Sequence, residues 1–204
     1  MGKYAWPGKN EMLDALGALE THTGLLEADA AIATVTGAAS TDLFTKVGHG
    51  LSNGDLVILT EMSGGTGLKA GDADNADDAA LPYYVVGVAG NDFQVSRVSG
   101  GTAVNFTSDV TDVKVTRLVE ITGGSPAYAR QATAFGAAAD GSMAMTGTET
   151  FDIPAGATVN YHAAFSASTA GTLYQIDKVT AEGPYGAQGT YTVNTFAQDL
   201  KGDE

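Results

Sequence analysis

The spacing of apolar positions near the start of the chain predicts one amphipathic helix. Apolar residues recur there at intervals of three or four, which places them on one helical face. These residues are Met12, Leu13, Leu16 and Leu19. Asn10 precedes the run and suits an N-cap, because its side-chain oxygen can accept a hydrogen bond from a free backbone N–H. We expect this helix to end within residues 20–24 and to dock on a sheet.

From residue 42 onward the pattern changes to short apolar or alternating runs separated by turn residues. Runs of this length, rich in Val, Ile, Tyr and Phe and bounded by Gly, Asn and Asp, predict β-strands. In the middle of the chain they cover residues 43–47, 56–59, 82–88, 93–98, 102–106 and 113–118. Towards the end they cover residues 128–132, 143–151, 157–165, 172–176 and 189–193.

The predicted fold class is therefore mainly β with one N-terminal helix. Short, evenly spaced strands in residues 42–118 are typical of a small barrel, and the later strands are typical of a β-sandwich or jelly roll. The 27 glycines among 204 residues agree with this interpretation. Tight hairpin turns often require a positive φ, which glycine adopts without steric penalty.

The charge of the chain disfavours two classes of partner. Its net charge is −14, and its ten basic residues are scattered rather than clustered. Nucleic acids and anionic membrane surfaces both require clustered Lys and Arg, so we expect neither as a partner. There is no cysteine, which excludes disulfides and thiolate metal sites. The N-terminal residues contain no long apolar segment of the kind found in secretory signals. We therefore expect synthesis in the cytoplasm without export by the secretory route.

An acidic loop is the best candidate for a metal site. It offers side-chain oxygens at close spacing, of the kind that Ca²⁺ binds. Those residues are Asp72, Asp74, Asn75, Asp77 and Asp78. If Asp72 is loop position 1, however, position 6 is an aspartate instead of the glycine of an EF-hand, and position 12 is Tyr83. We therefore expect an exposed loop and no cofactor, with a Ca²⁺ site as the alternative.

Catalytic patterns are missing from the sequence, so we expect no enzyme and no catalytic residues. There is no Gly-x-Ser-x-Gly elbow, and no histidine has a ligand or acid partner at a recognisable spacing. His49 lies between two glycines, and we predict that it bonds to the backbone of its own turn. Trp6 and Pro7 are the predicted interface anchors, because aromatic side chains often dominate protein interfaces. Packing of Trp6 onto its own domain is the alternative.

Two segments together resemble a family of structural proteins from tailed phages, especially phages of actinobacteria. The first is Glu120-Ile-Thr-Gly-Gly-Ser-Pro-Ala-Tyr-Ala-Arg-Gln131. The second is residues 150–159, Thr-Phe-Asp-Ile-Pro-Ala-Gly-Ala-Thr-Val, continued by residues 165–174. A third segment, residues 47–57 with residues 83–86 and 91–96, is similar to a small β-module of phage structural proteins. The resemblance implies that this module is inserted, giving a β-sandwich domain of residues 1–41 and 119–204 and a barrel module of residues 42–118.

The resemblance also implies a function without catalysis. Members are described as head decoration, minor capsid, minor tail or tail-fibre proteins. The first expectation is a capsid decoration or minor capsid protein that binds the phage major capsid protein on the outer surface of the head and stabilises the shell. We also expect a homo-oligomer located on the virion. The alternatives are a tail-associated or fibre protein that contacts the host surface or other tail proteins, and a tail enzyme that degrades polysaccharide.

Overall fold

The computed structural model describes residues 6–68 and 81–200. They form one helix, α1 (Trp6–Gly17), and fifteen strands. In chain order, the strands are β1 (His22–Ala28), β2 (Ile32–Ala38), β3 (Leu43–Thr45), β4 (Leu56–Thr60), β5 (Ser63–Gly64), β6 (Tyr83–Ala89), β7 (Asp92–Ser96), β8 (Val110–Glu120), β9 (Gln131–Ala132), β10 (Ser142–Ala144), β11 (Glu149–Ile153), β12 (Val159–Phe165), β13 (Leu173–Glu182), β14 (Gly189–Val193) and β15 (Ala197–Asp199). The mainly-β prediction with one helix and a barrel is confirmed.

The chain divides into two compact units. The split unit comprises Met1–Glu27 and Glu120–Glu204, and the barrel unit comprises Ala28–Val119. The sequence placed the first boundary after residue 41, whereas the structure places it after Glu27. The reason is that β2 pairs with β3 and β8 and so belongs to the barrel.

Six strands close the barrel unit. Their order is β8, β2, β3, β7, β6 and β4, and β4 returns to pair with β8. Alternate residues point inward because successive side chains of a strand lie on opposite faces. The inward set is fully buried and includes Val57, Tyr83, Val85, Phe93 and Val113. The predicted strand at residues 102–106 is wrong, since no strand forms there.

The split unit has two layers around its own core. One layer is the antiparallel sheet β1–β12–β13, with β9 on the other side of β1. The other contains the ladder of β11 and β14. Leu25 of β1, Phe151 of β11 and Val193 of β14 share one buried cluster. This arrangement is a small sandwich, and a further ladder joins β10 to β15.

Helix α1 begins earlier and ends earlier than predicted. It starts at Trp6, with Pro7 in the first turn, where a missing N–H is tolerated because no intrahelical partner exists. Asn10 therefore lies inside the helix, and its Oδ1 accepts a hydrogen bond of 2.9 Å from Gly141 N. The helix stops at Gly17, and β1 begins at His22, inside the segment in which the helix was expected to end. Within the described residues, no helix has the length and apolar character that crossing a membrane requires.

Candidate functional site

A buried arginine organises the first of the resembling segments. Arg130 donates from Nε and Nη2 to the two carboxylate oxygens of Glu120, at 2.7 Å each. Its side chain is only 8% exposed. Two parallel bonds between a guanidinium and a carboxylate are stronger and more directional than one, particularly away from water. This pair therefore fixes the end of β8 to the residues just before β9.

The remaining donors of Arg130 reach the second resembling segment. Nη1 donates to the carbonyl oxygens of Ala167 and Ala170, at 2.9 and 2.5 Å. The guanidinium carbon lies 3.4 Å from the ring centroid of Phe165, a cation–π contact. Arg130 thus holds the turn between β12 and β13 in place.

Tyr128 completes this group. Its hydroxyl accepts a hydrogen bond of 2.8 Å from Leu25 N and lies 3.4 Å from Oε1 of Glu120. Its ring stacks on Phe151 at 6.0 Å. Burial raises the pKa of the Tyr128 hydroxyl well above its usual value, so the hydroxyl stays protonated and can donate. We call Glu120, Tyr128, Arg130 and Phe165 the arginine cluster.

A shallow cavity of about 300 Å³ adjoins the arginine cluster. Glu120, Tyr128 and Arg130 all line it. The carboxylate and the guanidinium are already paired with each other, so neither offers a free charge to a substrate. The arrangement is therefore suited to holding the sandwich together rather than to acid–base chemistry.

Replacing Gly24 by alanine is expected to destabilise the split unit by about 1–3 kcal/mol, because the core there is tightly packed. A Cβ at Gly24 would lie 2.8 Å from Cε2 of Phe165 and 3.1 Å from the Tyr128 hydroxyl. Gly147→Ala is the matched control: no atom lies within 4 Å of its added Cβ, so a change within about 0.5 kcal/mol is expected. Urea unfolding measures both. If Gly24→Ala lowers the free energy of unfolding no more than Gly147→Ala does, the arginine cluster tolerates the extra carbon.

A second cavity lies beside α1, with a volume of about 390 Å³. Asp14, Gly17 and Ala18 line it, together with Glu20 and Phe135. Glu20 is 1% exposed. Its Oε2 accepts a hydrogen bond from Nε2 of Gln198, and its Oε1 has no hydrogen-bond partner among the described residues. Burial raises the pKa of the Glu20 carboxyl to about 7, so this group is half ionised near neutral pH.

Another buried carboxyl lies in the same unit. Glu149 is 8% exposed, and burial raises its pKa. The hydroxyls of Thr133 and Thr23 and the charge of His22 act in the opposite direction. Glu149 does not line the cavity beside α1. It therefore provides a useful comparison for Glu20.

His162 is buried without an acid partner. Its Nε2 lies 3.0 Å from the Tyr191 hydroxyl, and its Nδ1 has no hydrogen-bond partner among the described residues. Burial lowers the pKa of His162 to about 4, so the ring is neutral at pH 7. A catalytic histidine usually needs a group that orients it, and among the described residues no carboxylate does so.

The prediction for His49 is confirmed, since Leu51 N donates to its Nδ1 at 2.9 Å.

Most of the predicted site residues lie outside the part of the chain that the structure describes. The candidate Ca²⁺ ligands Asp72, Asp74, Asn75, Asp77 and Asp78 lie outside the described residues. Trp6 is the first residue of α1, and Pro7 is exposed in its first turn. Over residues 6–68 and 81–200, no three or more His, Asp or Glu side chains are grouped so that they could hold a metal ion.

Sequence reasoning missed Glu20. It was assigned to the end of the helix, where a glutamate is normally solvated. The helix instead ends at Gly17, and Gln198 of β15 packs against Glu20. No local pattern marks that contact, because its partner is far away in the chain.

No protein-family model, curated protein or solved structure matches this chain.

Proposed function

We propose that this protein is a non-catalytic structural protein of a tailed-phage virion. In this proposal it decorates the head, binds the major capsid protein on the outer surface of the shell and stabilises the particle. It is displayed in many copies, so contacts that are individually weak add up over the lattice.

One observation carries the proposal: the two segments that resemble the phage family contact each other through the arginine cluster. Arg130 and Glu120 belong to the first segment, whereas Phe165, Ala167 and Ala170 belong to the second. The residues on which the resemblance rests thus form the frame of one unit. Such a frame gives a rigid body for an interface and leaves no charge of the cluster free for chemistry.

The charge of the chain supports the same proposal. A net charge of −14 keeps the free protein soluble before it assembles on the particle. It also complements a partner surface that is basic. Charge complementarity speeds association and selects the partner more than it adds affinity.

Phage particles produced without this protein provide the test. Purified protein is added to them, and its position is imaged with labelled antibody. We expect saturable, symmetric labelling over the head and a higher temperature of genome release, because a ligand of the intact shell stabilises it. Particles that already carry the protein are the control, since their sites are occupied.

The location of the label decides between the alternatives. Label confined to the tail or its tip would overturn the head assignment and favour the tail-associated function. Absence of saturable binding to either part would contradict a virion role altogether.

A further inference from the structure

The cavity beside α1 combines acidic and apolar walls. Asp14 and Glu20 supply the carboxylates. The apolar part consists of Ala18, Ala134, Phe135, Ala137 and Met143. We propose that this cavity is a binding site for one basic side chain, lysine or arginine, of a partner protein. The identification of that partner as the capsid protein rests on the proposed function, whereas the chemistry of the cavity does not.

The unpartnered oxygen of Glu20 favours a hydrogen-bond donor as the ligand, which reaches it when the Glu20 side chain turns towards the cavity, because that oxygen is covered in the unliganded fold. A buried acceptor without a hydrogen bond destabilises the folded state by about 1–3 kcal/mol, and more when it is charged. Gln198 satisfies Oε2 of Glu20 but not Oε1. An ammonium or guanidinium group would supply both the missing N–H and a compensating charge. An anion would meet the carboxylate and be repelled.

The apolar walls favour a side chain over a simple ion. Lysine and arginine have aliphatic stems that pack on apolar surfaces while the charged end reaches a polar group. Phe135 and Met143 provide such a surface, and Glu20 lies in the same cavity. Ca²⁺ would need six to eight oxygens, and the cavity has only two carboxylates. The volume of about 390 Å³ is in the range of sites that take an organic group.

Binding of a cation should be linked to loss of a proton from Glu20. A positive charge beside the carboxylate favours its ionised form, so affinity should rise up to about tenfold per pH unit below pH 7 and level off above pH 8. Further titratable or charged groups on α1 and next to the lining segments include Lys9, Glu11, His22, Asp140, Glu149 and Asp199. Lys9 donates to the carbonyl oxygen of Leu200 at 2.9 Å and is itself buried.

Titration of the full chain with small probes tests the site. The probes are Nα-acetyl-arginine amide and Nα-acetyl-lysine amide, followed by NMR chemical shifts and calorimetry at pH 6, 7 and 8. The citrulline derivative is the control probe, because it matches arginine in shape but is uncharged. We expect saturable binding of the two cations at millimolar concentration, weakening towards pH 6, and at least tenfold weaker binding of the citrulline derivative.

Variants locate the site. Glu20→Gln is expected to weaken cation binding at least tenfold and to remove its dependence on pH. Ala18→Leu should weaken it by filling the cavity. Glu27→Gln is the matched control, a half-buried glutamate at the other end of β1 that does not line the cavity, and its affinity should equal that of the natural chain. Circular dichroism verifies that each variant is folded. Equal binding by Glu20→Gln, or binding of citrulline as tight as arginine, would overturn the proposal.

The head-binding assay separates this inference from the proposed function. If Glu20→Gln loses both the probes and the head, the cavity holds a side chain of the shell. If it loses the probes but binds heads normally, the assignment of a partner side chain is overturned. If the natural chain binds the probes but no head, the capsid function fails while the cation site stands.

Discussion

Replacing Arg130 by methionine is expected to lower the free energy of unfolding of the split unit by about 3–5 kcal/mol. Removal of one member of a buried ion pair has this effect because the other charge stays buried without compensation. Glu120 is partly buried, at 28% exposure, and would lose its cationic partner, since both its oxygens accept hydrogen bonds from Arg130. The turn between β12 and β13 would also lose the two hydrogen bonds from Nη1.

Arg117→Met in the barrel unit is the matched control. Arg117 pairs with Asp29 at the same distance of 2.7 Å, although through a single oxygen, and the two side chains are 38% and 45% exposed. Water already screens such a pair, so its removal should change stability by only about 0–1 kcal/mol. Urea unfolding and hydrogen exchange of peptides from each unit distinguish the two variants. Similar losses for both would show that burial does not determine the strength of these pairs.

Local patterns were sufficient to predict most strands of the barrel. Strands β4, β6 and β7 are short apolar runs, and Gly90 and Asn91 form the turn between the last two. The apolar runs and the turn residues are both local features, so they can be recognised from the sequence alone. The sequence did not show that the barrel begins as early as β2, because β2 contains small residues and its register shifts twice against β8. These irregularities remove the alternation that would have marked it as a strand.

Contacts between distant residues account for the rest of what was missed. Strand β1 contains Gly24, which a propensity scale counts against a strand. In the structure this glycine is needed because Phe165 and Tyr128 pack directly against it. The burial of Glu20 has the same kind of origin, since it depends on β15. The sequence singled out the segment that contains Tyr128 and Arg130, but it did not predict the hydrogen bonds of the arginine cluster.

The stability of the split unit is expected to vary with pH through two buried groups of opposite sign. Glu20 has a pKa of about 7 in the folded state, raised by burial from 4.5. Between these values the folded state holds a proton that the unfolded chain has released. The free energy of unfolding therefore falls as pH rises, by up to about 1.4 kcal/mol per unit and about 3 kcal/mol in total.

His162 acts in the opposite direction. Burial lowers its pKa from 6.5 to about 4, so below pH 6.5 the unfolded chain binds a proton that the folded state does not. Its contribution to stability is fully present above pH 6.5 and is lost as pH falls towards 4, again by about 3 kcal/mol. The two effects largely cancel between pH 4.5 and 6.5 in the natural chain. Glu149 and Asp177, whose pKa values burial also raises, tilt the profile in the direction of Glu20.

Single variants should expose each slope. Glu20→Gln is expected to give a free energy of unfolding that rises from pH 4 to 6.5 and exceeds that of the natural chain by up to about 3 kcal/mol at pH 8. His162→Phe should instead give a profile that falls with pH over the same range. Urea unfolding at pH 4, 5, 6, 7 and 8 measures both. Profiles parallel to that of the natural chain would show that neither group keeps a shifted pKa when folded.

The expected gain from Glu20→Gln bears on why a glutamate occupies this position. At neutral pH and above, the ionised carboxyl makes the fold less stable than an amide of the same shape would, because its charge is buried with one oxygen unpaired among the described residues. A residue that lowers stability in this way fits a site that is completed by a ligand. A variant that is more stable than the natural chain but binds no cation would therefore connect the stability profile to the cavity beside α1. A variant that is no more stable would remove that connection.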